Sequence, residues 1–360
     1  MSVSPPRVIV TRLLPPTATH LLNCASRQRL LEVVQWQHDE TCPRAWLKEE
    51  IAKNDTVGLV ATLGDKIDED LLSVASRDLK VVSTMSAGYD HVQISALRSR
   101  SIKLGTTPDA LTDATADIGA MLTLMATRRA GEAYRKVIDG KWPTMPWSPF
   151  LLCGSGLQGK TIGILGFGRI GQLTLKRLLG FSPAKVLYTT SRPGSPPAQD
   201  HYSLLTPHSN NVAIEPATSV KDLAQRSDIL IVTCALTEQT KALVSTEFLG
   251  WMKKGSYVIN TARGPIVDND ALVRAVRNGH LAGAGLDVVD GEPNIGKGHA
   301  LLKEERVVVL PHIGSATVET RDRMGEDAVR NLLAALGIVK VEGDSDENQW
   351  DGRWRNQIQL

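Results

Sequence analysis

Hydrophobic residues in the first third of the chain fall into short runs rich in β-branched side chains. Polar or helix-like stretches separate these runs, and such alternation is typical of parallel strands joined by crossover helices. Four runs are predicted to be strands: RVIVT from Arg7, TVGLVAT from Thr56, KVVSTMS from Lys80 and SIKLGTTP from Ser101. The pattern therefore predicts an α/β unit at the start of the chain.

A second strand-rich pattern starts at Lys160. Its apolar runs are nearly continuous, as is typical of strands buried on both faces of a parallel sheet. Six runs are predicted to be strands: TIGIL, KVLYTT, DILIVTCAL, SYVINTA, GAGLDVV and RVVVLPH. Helical patterns over residues 114–139 and 320–337 flank this second α/β unit.

Three segments lack the periodicity of a helix or a strand. Residues 140–150 are rich in proline and tryptophan, and prolines interrupt both kinds of hydrogen-bond ladder. Residues 193–211 form a long stretch rich in Pro, Ser and Asn. The polar C-terminal residues 343–360 are expected to be loosely ordered, as chain ends often are.

Composition and charge narrow the function classes. The 360 residues carry 41 basic and 39 acidic side chains, well mixed, for a net charge of +2. This balance does not indicate a nucleic-acid or anionic-membrane surface. No apolar run approaches the roughly 20 residues of a membrane helix, and the N-terminus lacks a signal-peptide core. The four cysteines show neither CxxC nor Cys/His spacing, so we expect reduced thiols, no metal site and a cytoplasmic location.

A glycine-rich turn follows the first apolar run of the second unit and precedes a predicted helix. It reads Gly166-Phe-Gly168-Arg169-Ile170-Gly171, a GxGxxG pattern. In this context the first glycine permits a tight turn, the second lets the backbone approach a pyrophosphate, and the third lets the helix pack on the strand. The pattern predicts a dinucleotide site at the helix N-terminus, with a purely structural turn as the alternative.

Ser191 and Arg192 occupy the position, about twenty residues past the glycine turn, at which an NAD site usually carries an acid. A carboxylate there accepts hydrogen bonds from the ribose 2′-OH and repels a 2′-phosphate. A serine can donate to that phosphate and an arginine can pair with it. The substitution predicts NADP(H) rather than NAD(H), unless Arg192 is only a solvated loop residue.

Three segments near the expected carboxyl ends of the second unit's strands carry residues suited to acid–base chemistry. NTARGPIVD contains Arg263, LDVVDGEP contains Asp287 and Glu292, and LPHIGSAT contains His312. Hydride transfer to a 2-keto acid needs a cation for the carboxylate, an acid for the keto oxygen, and a group that holds that acid. These residue types fit. A packing histidine, a helix-capping arginine and a turn glutamate are the structural alternatives.

Six blocks, in this order and at these separations, resemble the D-isomer-specific 2-hydroxyacid dehydrogenase family, and within it the glyoxylate reductase/hydroxypyruvate reductase branch. The blocks are STMSAGYDH, TPDALTDATAD, GILGFGRIG, INTARG, AGLDV and LPHIGSAT. The resemblance covers nearly all of residues 56–337. It therefore extends over both predicted α/β units.

The resemblance implies a role for each candidate site residue. Arg263 would bind the substrate carboxylate, Glu292 would hydrogen-bond His312, and His312 would be the general acid in reduction. Backbone amides of Ala87 and Gly88 would grip the carboxylate from the first unit. The other residues implied are Ala235, Leu236 and Thr261 along the cofactor, Asp287 at the nicotinamide carboxamide, and Ser315 at the substrate.

The resemblance also implies an α/β architecture of two domains. A Rossmann-type NAD(P)-binding domain, residues 114–318, would be inserted into a discontinuous flavodoxin-like substrate-binding (catalytic) domain, residues 1–113 and 319–360. Catalysis would take place in a cleft that closes to exclude water. The family is usually dimeric through arms of the cofactor domain, so we expect a homodimer, with residues 140–154 in the arm.

The implied activity is the NADPH-dependent reduction of glyoxylate to glycolate and of hydroxypyruvate to D-glycerate. Within the same fold, Glu292 disfavours a formate dehydrogenase, and the short chain after Gly337 disfavours a phosphoglycerate dehydrogenase with a regulatory domain. A reductase of a larger 2-keto acid is one alternative. A nucleotide-sensing scaffold, similar to corepressors that share the fold and the triad, is the other. Such scaffolds resemble NAD-binding proteins, so Ser191 and Arg192 disfavour this second alternative.

Overall fold

A computed structural model describes residues 4–195, 212–338, 340, 341, 354 and 356–359. Most of the expected loop at 193–211, and residues 343–353, 355 and 360 of the C-terminal stretch, lie outside the described residues. The chain separates into two compact units. The first comprises residues 1–111 and 316–360, and the second comprises residues 112–315.

The elements follow one another as alternating strands and helices. The strands are β1 (Arg7–Val10), β2 (Glu32–Gln35), β3 (Thr56–Ala61), β4 (Val81–Thr84), β5 (Lys103–Gly105), β6 (Thr161–Leu165), β7 (Lys185–Thr189), β8 (Ala213–Pro216), β9 (Ile229–Val232), β10 (Ser256–Asn260), β11 (Leu281–Leu286), β12 (Val307–Val309) and β13 (Gln357–Ile358). The helices in the described part of the chain are α1 (Pro16–Arg27), α2 (Arg44–Ala52), α3 (Glu69–Leu72), α4 (Ile94–Ser99), α5 (Thr112–Thr127), α6 (Ala130–Ile138), α7 (Arg169–Leu178), α8 (Val220–Arg226), α9 (Thr246–Trp251), α10 (Asn269–Arg277) and α11 (Val318–Ala335).

The first unit is built on a six-stranded sheet in the order β2-β1-β3-β4-β5-β13. The first five strands are parallel, and β13 pairs antiparallel with β5. The order 2-1-3-4-5 of the parallel strands is that of flavodoxin-like folds, whose ligands bind outside the carboxyl ends of the strands. The loop after β4, which contains Ala87 and Gly88, lies at that edge.

The second unit contains a parallel sheet of seven strands in the order β8-β7-β6-β9-β10-β11-β12. Counted within the unit, this is the 3-2-1-4-5-6 order of a Rossmann fold with one further strand. Strand β9 shows why its sequence is continuously apolar. Ile229 and Ile231 pack into one hydrophobic cluster, and Leu230 and Val232 pack into another on the opposite face. The two sheets confirm the predicted α/β class.

Side chains fix where several helices begin. Ser219, Ser245 and Asp268 accept hydrogen bonds from backbone N–H groups at the starts of α8, α9 and α10. Such N-caps satisfy donors that have no partner within the helix. Helix α7 starts at Arg169, and its N-cap residue, Gly168, provides no side-chain cap.

The structure differs from the sequence-based expectations in four elements. The helical pattern over 114–139 forms two helices, α5 and α6, because Arg129 between them adopts a left-handed backbone conformation (φ 54°). Strands β2, β8 and β13 were not predicted, and β13 lies in a stretch expected to be loosely ordered.

No helix in the described residues is long and apolar enough to cross a membrane.

Candidate active site

The three glycines of the turn after β6 have different surroundings. A Cβ at Gly166 would lie 2.5 Å from the backbone nitrogen of Cys234, and one at Gly171 would lie 2.5 Å from the Gly166 carbonyl oxygen. Gly166 also has a φ of 99°, which favours glycine. Gly168, in contrast, has no atom within 4 Å of the position that a Cβ would take. The outer glycines therefore permit tight packing, and the middle one leaves space beside the backbone.

The open space at Gly168 adjoins the uncapped start of α7. The N–H of Gln172 makes the first helical bond to the Gly168 carbonyl, at 3.0 Å. The N–H groups of a helix's first turn have no acceptor within the helix, and its positive dipole end favours anions. Arg169 is exposed and Ile170 is half-buried in this turn. The residues present fit a diphosphate, because space, donors and positive potential coincide.

Residues after β9 and β10, which the sequence predicts to line the cofactor, lie at the neighbouring strand ends. Thr261 is buried, and its hydroxyl oxygen has no hydrogen-bond partner among the described residues. A buried hydroxyl without a partner is costly, so a ligand atom would relieve it. The carbonyl of exposed Ala235 accepts a hydrogen bond from the Thr240 hydroxyl at 2.7 Å, and Leu236 packs against the core.

The loop after β7 presents Ser191 and Arg192 to solvent. The Thr190 hydroxyl shapes this turn: it donates to the Arg192 carbonyl at 2.8 Å and accepts from the Arg192 N–H at 3.2 Å. The N–H of Gly194 also donates to the Ala217 carbonyl, next to β8, at 3.0 Å. The serine and arginine therefore stand on a hydrogen-bonded turn at the end of the strand that follows the glycine turn.

Strand β10 ends in Asn260, which organises the Arg263 loop. The fully buried Asn260 amide donates to the Arg263 carbonyl and accepts from the Ala262 N–H, both at 3.0 Å. A Cβ on Gly264 would overlap the backbone of Val289 and Asp290, so glycine is needed where the two loops touch. Sequence reasoning missed Asn260, although a buried polar residue that ends an apolar strand is a recognisable signal.

Both carboxylate oxygens of Glu292 have a hydrogen-bond partner. Its Oε2 accepts the Val289 N–H at 2.9 Å, and its Oε1 lies 2.8 Å from Nδ1 of His312. Burial raises the pKa of the Glu292 carboxyl. Hydrogen bonds from His312 and Val289, together with the charges of His312 and Arg263, have the opposite and larger effect, so the pKa lies below its ordinary value. Glu292 is therefore the anionic partner of His312, and the positive charge of Arg263 acts on the same carboxylate.

Asp287 holds the loop that carries His312. Its backbone carbonyl accepts the His312 N–H at 2.9 Å. Its carboxylate oxygens accept the N–H groups of Ile313 and Gly314, each at 2.8 Å. These bonds secure His312 in a left-handed backbone conformation (φ 53°), which is uncommon outside glycine. Burial raises the pKa of the Asp287 carboxyl above its ordinary value, against the two N–H donors and the charge of His312.

The second unit thus brings Arg263, Glu292, His312 and Asp287 together on three adjacent loops. Half-buried Ser315 follows the His312 loop. Ala87 and Gly88 belong to the first unit, where the Ser86 hydroxyl donates to the Gly88 carbonyl at 2.8 Å. Among the described residues, no group of three or more His, Cys, Asp or Glu side chains could hold a metal ion.

The profile of the family described as "D-isomer specific 2-hydroxyacid dehydrogenase, NAD binding domain" matches residues 120–314, more than half of the chain. The chain belongs to the D-isomer-specific 2-hydroxyacid dehydrogenase family. This assignment agrees with the blocks that carry the resemblance and with the Rossmann order of the sheet they lie on. It assigns the chain to the oxidoreductases and associates it with a nicotinamide cofactor.

Curated relatives within the 2-hydroxyacid dehydrogenases cover almost the whole chain. The glyoxylate reductase/hydroxypyruvate reductase of Homo sapiens is 39% identical over 330 residues, 92% of this chain and 94% of the relative. The glyoxylate reductase of Thermofilum pendens is 40% identical over 334 residues, 92% of this chain and 91% of the relative. Both relatives are named as glyoxylate reductases.

A solved structure extends the similarity to the fold. It is an NADPH-dependent glyoxylate/hydroxypyruvate reductase from Sinorhizobium meliloti in complex with NADP and malonate, with a TM-score of 0.75 and 29% sequence identity. The match covers 97% of this chain and 99% of that one. The two-domain Rossmann arrangement of 2-hydroxyacid dehydrogenases is therefore the fold of this chain.

Proposed function

We propose that the protein reduces glyoxylate to glycolate and hydroxypyruvate to D-glycerate with NADPH. The observation that carries the proposal is the 2.8 Å contact between His312 Nδ1 and Glu292 Oε1, on loops adjoining the Arg263 loop. This arrangement contains the acid, its holding group and the cation that reduction of a 2-keto acid requires. The named activities of the relatives in Homo sapiens and Thermofilum pendens supply the substrate class.

His312 is the proposed proton donor. Glu292 occupies Nδ1, so Nε2 is the nitrogen that faces the substrate. In reduction the imidazolium transfers its proton from Nε2 to the keto oxygen as the carbonyl carbon receives a hydride, and the C=O group becomes CH–OH. In oxidation the neutral imidazole takes the proton back. Glu292 holds the ring through Nδ1, and Asp287 holds the backbone that orients it.

Arg263 is the proposed carboxylate-binding residue. Its guanidinium offers forked donors that match a carboxylate, and its positive charge draws electron density from the neighbouring keto group. The Nη1 group donates to the Ala262 carbonyl at 2.8 Å, which orients the side chain from its own loop. Backbone N–H groups of Ala87 and Gly88, with Ser315, are proposed to complete the substrate contacts.

The cofactor site is proposed at the glycine turn. Gly168 and the first turn of α7, with Arg169 and Ile170, would hold the diphosphate, because that backbone is open and uncapped. Ala235, Leu236 and Thr261 would line the remainder, and Asp287 would lie at the carboxamide. When bound, the nicotinamide supplies the hydride.

NADPH is proposed over NADH because Ser191 and Arg192 stand on the turn after β7 where an acid would read a ribose hydroxyl. A hydroxyl donor and a guanidinium favour a 2′-phosphate, and neither repels it. The Sinorhizobium meliloti relative is named as NADPH-dependent, and its structure holds NADP. These observations support the preference independently of each other.

We also propose that residues 114–318 form the NADP-binding domain and that residues 1–113 and 319–360 bind the substrate. A homodimer is supported by the apolar surface of α6 and the segment after it. Trp147 is 97% exposed and Phe150 is 85% exposed, and Trp142 and Tyr134 are also largely exposed. A monomer seldom leaves so many large apolar side chains in water. The four free cysteines support a cytoplasmic location.

The test is turnover by the purified full chain with each cofactor and each acid. We expect glyoxylate and hydroxypyruvate both to oxidise NADPH, with kcat/KM at least about tenfold higher than with NADH. His312→Asn is the matched control: it should bind NADPH normally and lose about 10²- to 10⁴-fold in kcat. A preference for NADH would overturn the cofactor assignment. Cofactor binding without turnover of either acid would overturn the substrate assignment.

A further inference from the structure

The C-terminal strand β13 completes the sheet of the first unit. Gln357 pairs with Gly105 and Ile358 pairs with Leu104 of β5, and Ile358 also packs against the hydrophobic cluster of that unit. The pairing continues beyond β5, because the Thr106 N–H donates to the Asn356 carbonyl at 3.1 Å. The C-terminal segment therefore also contacts the loop that follows β5.

A buried asparagine on α11 reinforces this contact. The Asn331 amide nitrogen donates to the Thr106 carbonyl at 3.0 Å, and its oxygen accepts the Asn356 N–H at 3.2 Å. The Asn331 side chain thus joins the backbone at Thr106 to the backbone at Asn356. Gly105 permits this approach, since a Cβ there would lie 2.8 Å from the Cβ of Asn331. Both backbone groups of Thr106 are therefore occupied by Asn356 and Asn331.

The next residue extends the chain of hydrogen bonds to the loop after β4. The Thr107 N–H donates to the Ser86 carbonyl at 2.8 Å, and the Ser86 hydroxyl donates to the Gly88 carbonyl at 2.8 Å. On its other side, the Thr84 hydroxyl lies 2.9 Å from the Ser86 hydroxyl. Hydrogen bonds thus connect Asn356 with Thr106, and Thr107 with Gly88 by way of Ser86. A single peptide bond joins Thr106 to Thr107.

We propose that β13 and Asn331 position the Ala87–Gly88 backbone, so that the C-terminal end of the chain sets the affinity for the 2-keto acid. The inference rests on the proposed function, which assigns the substrate carboxylate to that backbone. Asn331 is a positioning residue here, since it acts through Thr106, Thr107 and Ser86. Without β13, the acceptor for Thr106 and one partner of Asn331 are lost, and the 106–107 loop gains freedom.

The test compares the full chain with a chain that ends at Arg355 and with Asn331→Asp, which removes the donor to Thr106. We expect KM for glyoxylate and for hydroxypyruvate to rise about tenfold in each variant, the equivalent of one or two loop hydrogen bonds. The kcat and the Kd for NADPH should stay within about twofold. Gln357→Ala is the control, because its exposed side chain makes no contact that the strand pairing needs, and its KM should not change.

Two further measurements separate positioning from general destabilisation. A synthetic peptide of residues 354–360, added to the truncated chain, should restore the lower KM. Hydrogen–deuterium exchange of residues 84–92 should accelerate in the truncated chain and slow again with the peptide. An unchanged KM in an active truncated chain, or a loss of kcat and NADPH binding equal to the loss of substrate affinity, would overturn the proposal.

The outcomes distinguish this inference from the proposed function. If the full chain fails to turn over either acid, the proposed function fails, and hydrogen–deuterium exchange alone decides whether β13 positions the loop. Unchanged exchange in residues 84–92 would then overturn the positioning role. If the full chain is active and only the KM prediction fails, the proposed function stands without the role of the C-terminal strand.

Discussion

The charge of Glu292 is expected to support proton donation by His312. The two side chains meet at 2.8 Å, and the pKa of the Glu292 carboxyl lies below its ordinary value, because hydrogen bonds to His312 and Val289 outweigh the effect of burial. A carboxyl whose pKa is lowered stays ionised above that pKa and loses its charge only as pH falls through it. Glu292 is therefore anionic throughout the neutral and alkaline range.

Glu292→Gln removes this charge and keeps an oxygen that can accept the Nδ1 proton. A hydrogen bond to a charged group contributes about 1.5–3 kcal/mol. Both side chains are 31% exposed, so solvent screens the pair and the lower end applies, about tenfold in rate. The variant should lose about this factor at alkaline pH, so that the alkaline fall in the rate of reduction moves to lower pH, and it should lose less at acid pH.

The assay is kcat/KM for glyoxylate against pH, with NADPH saturating. Asp290→Asn is the matched control, since it removes a carboxylate two residues away whose side chain is exposed, and its profile should overlay that of the unmodified chain. An alkaline limb that stays in place in Glu292→Gln would refute the role of the carboxylate. A uniform loss of rate at every pH would show that Glu292 only holds the loop.

Three further substitutions test the cofactor site and the loop contact. Arg192→Glu should lower kcat/KM for NADPH by about 10- to 100-fold and spare NADH, because a carboxylate there repels a 2′-phosphate; equal losses with both cofactors would refute this. Gly168→Ala should leave Tm unchanged, because no atom lies within 4 Å of the new Cβ. It should raise the Kd for NADPH at least about tenfold, and unchanged binding by calorimetry would refute a diphosphate site at that turn. Gly264→Ala should lower Tm by several degrees through overlap with Val289 and abolish turnover, whereas Gly250→Ala, with open space around it, should do neither.

Strands with a full apolar signal were predictable from the sequence, and those that depend on a distant partner were not. Ile229–Val232 is apolar at every position because both faces of β9 are buried. Strand β2 contains only two apolar residues, and it exists through its pairing with β1. Strand β13 has two residues and no local pattern, and its partner β5 lies some 250 positions earlier in the chain. Local periodicity carries no information on such pairing.

The candidate site shows the same limit. Motifs and resemblance indicated Arg263, Glu292 and His312, and the roles of these residues stay predictions. The support beneath them was not predictable, because it consists of hydrogen bonds between side chains and distant backbone groups. Asp287, expected at the carboxamide, has its carboxylate bound to the N–H groups of Ile313 and Gly314. Only the folded chain brings these groups within reach of each other.

The central claim is that His312 gives a proton to the keto oxygen of a 2-keto acid while NADPH gives a hydride to one face of its carbonyl carbon. The most direct measurement is the identity and handedness of the product when the full chain consumes hydroxypyruvate and NADPH. Enantioselective chromatography should find D-glycerate in an amount equal to the NADPH oxidised. L-glycerate, a racemic product, or NADPH oxidation without glycerate would contradict the account.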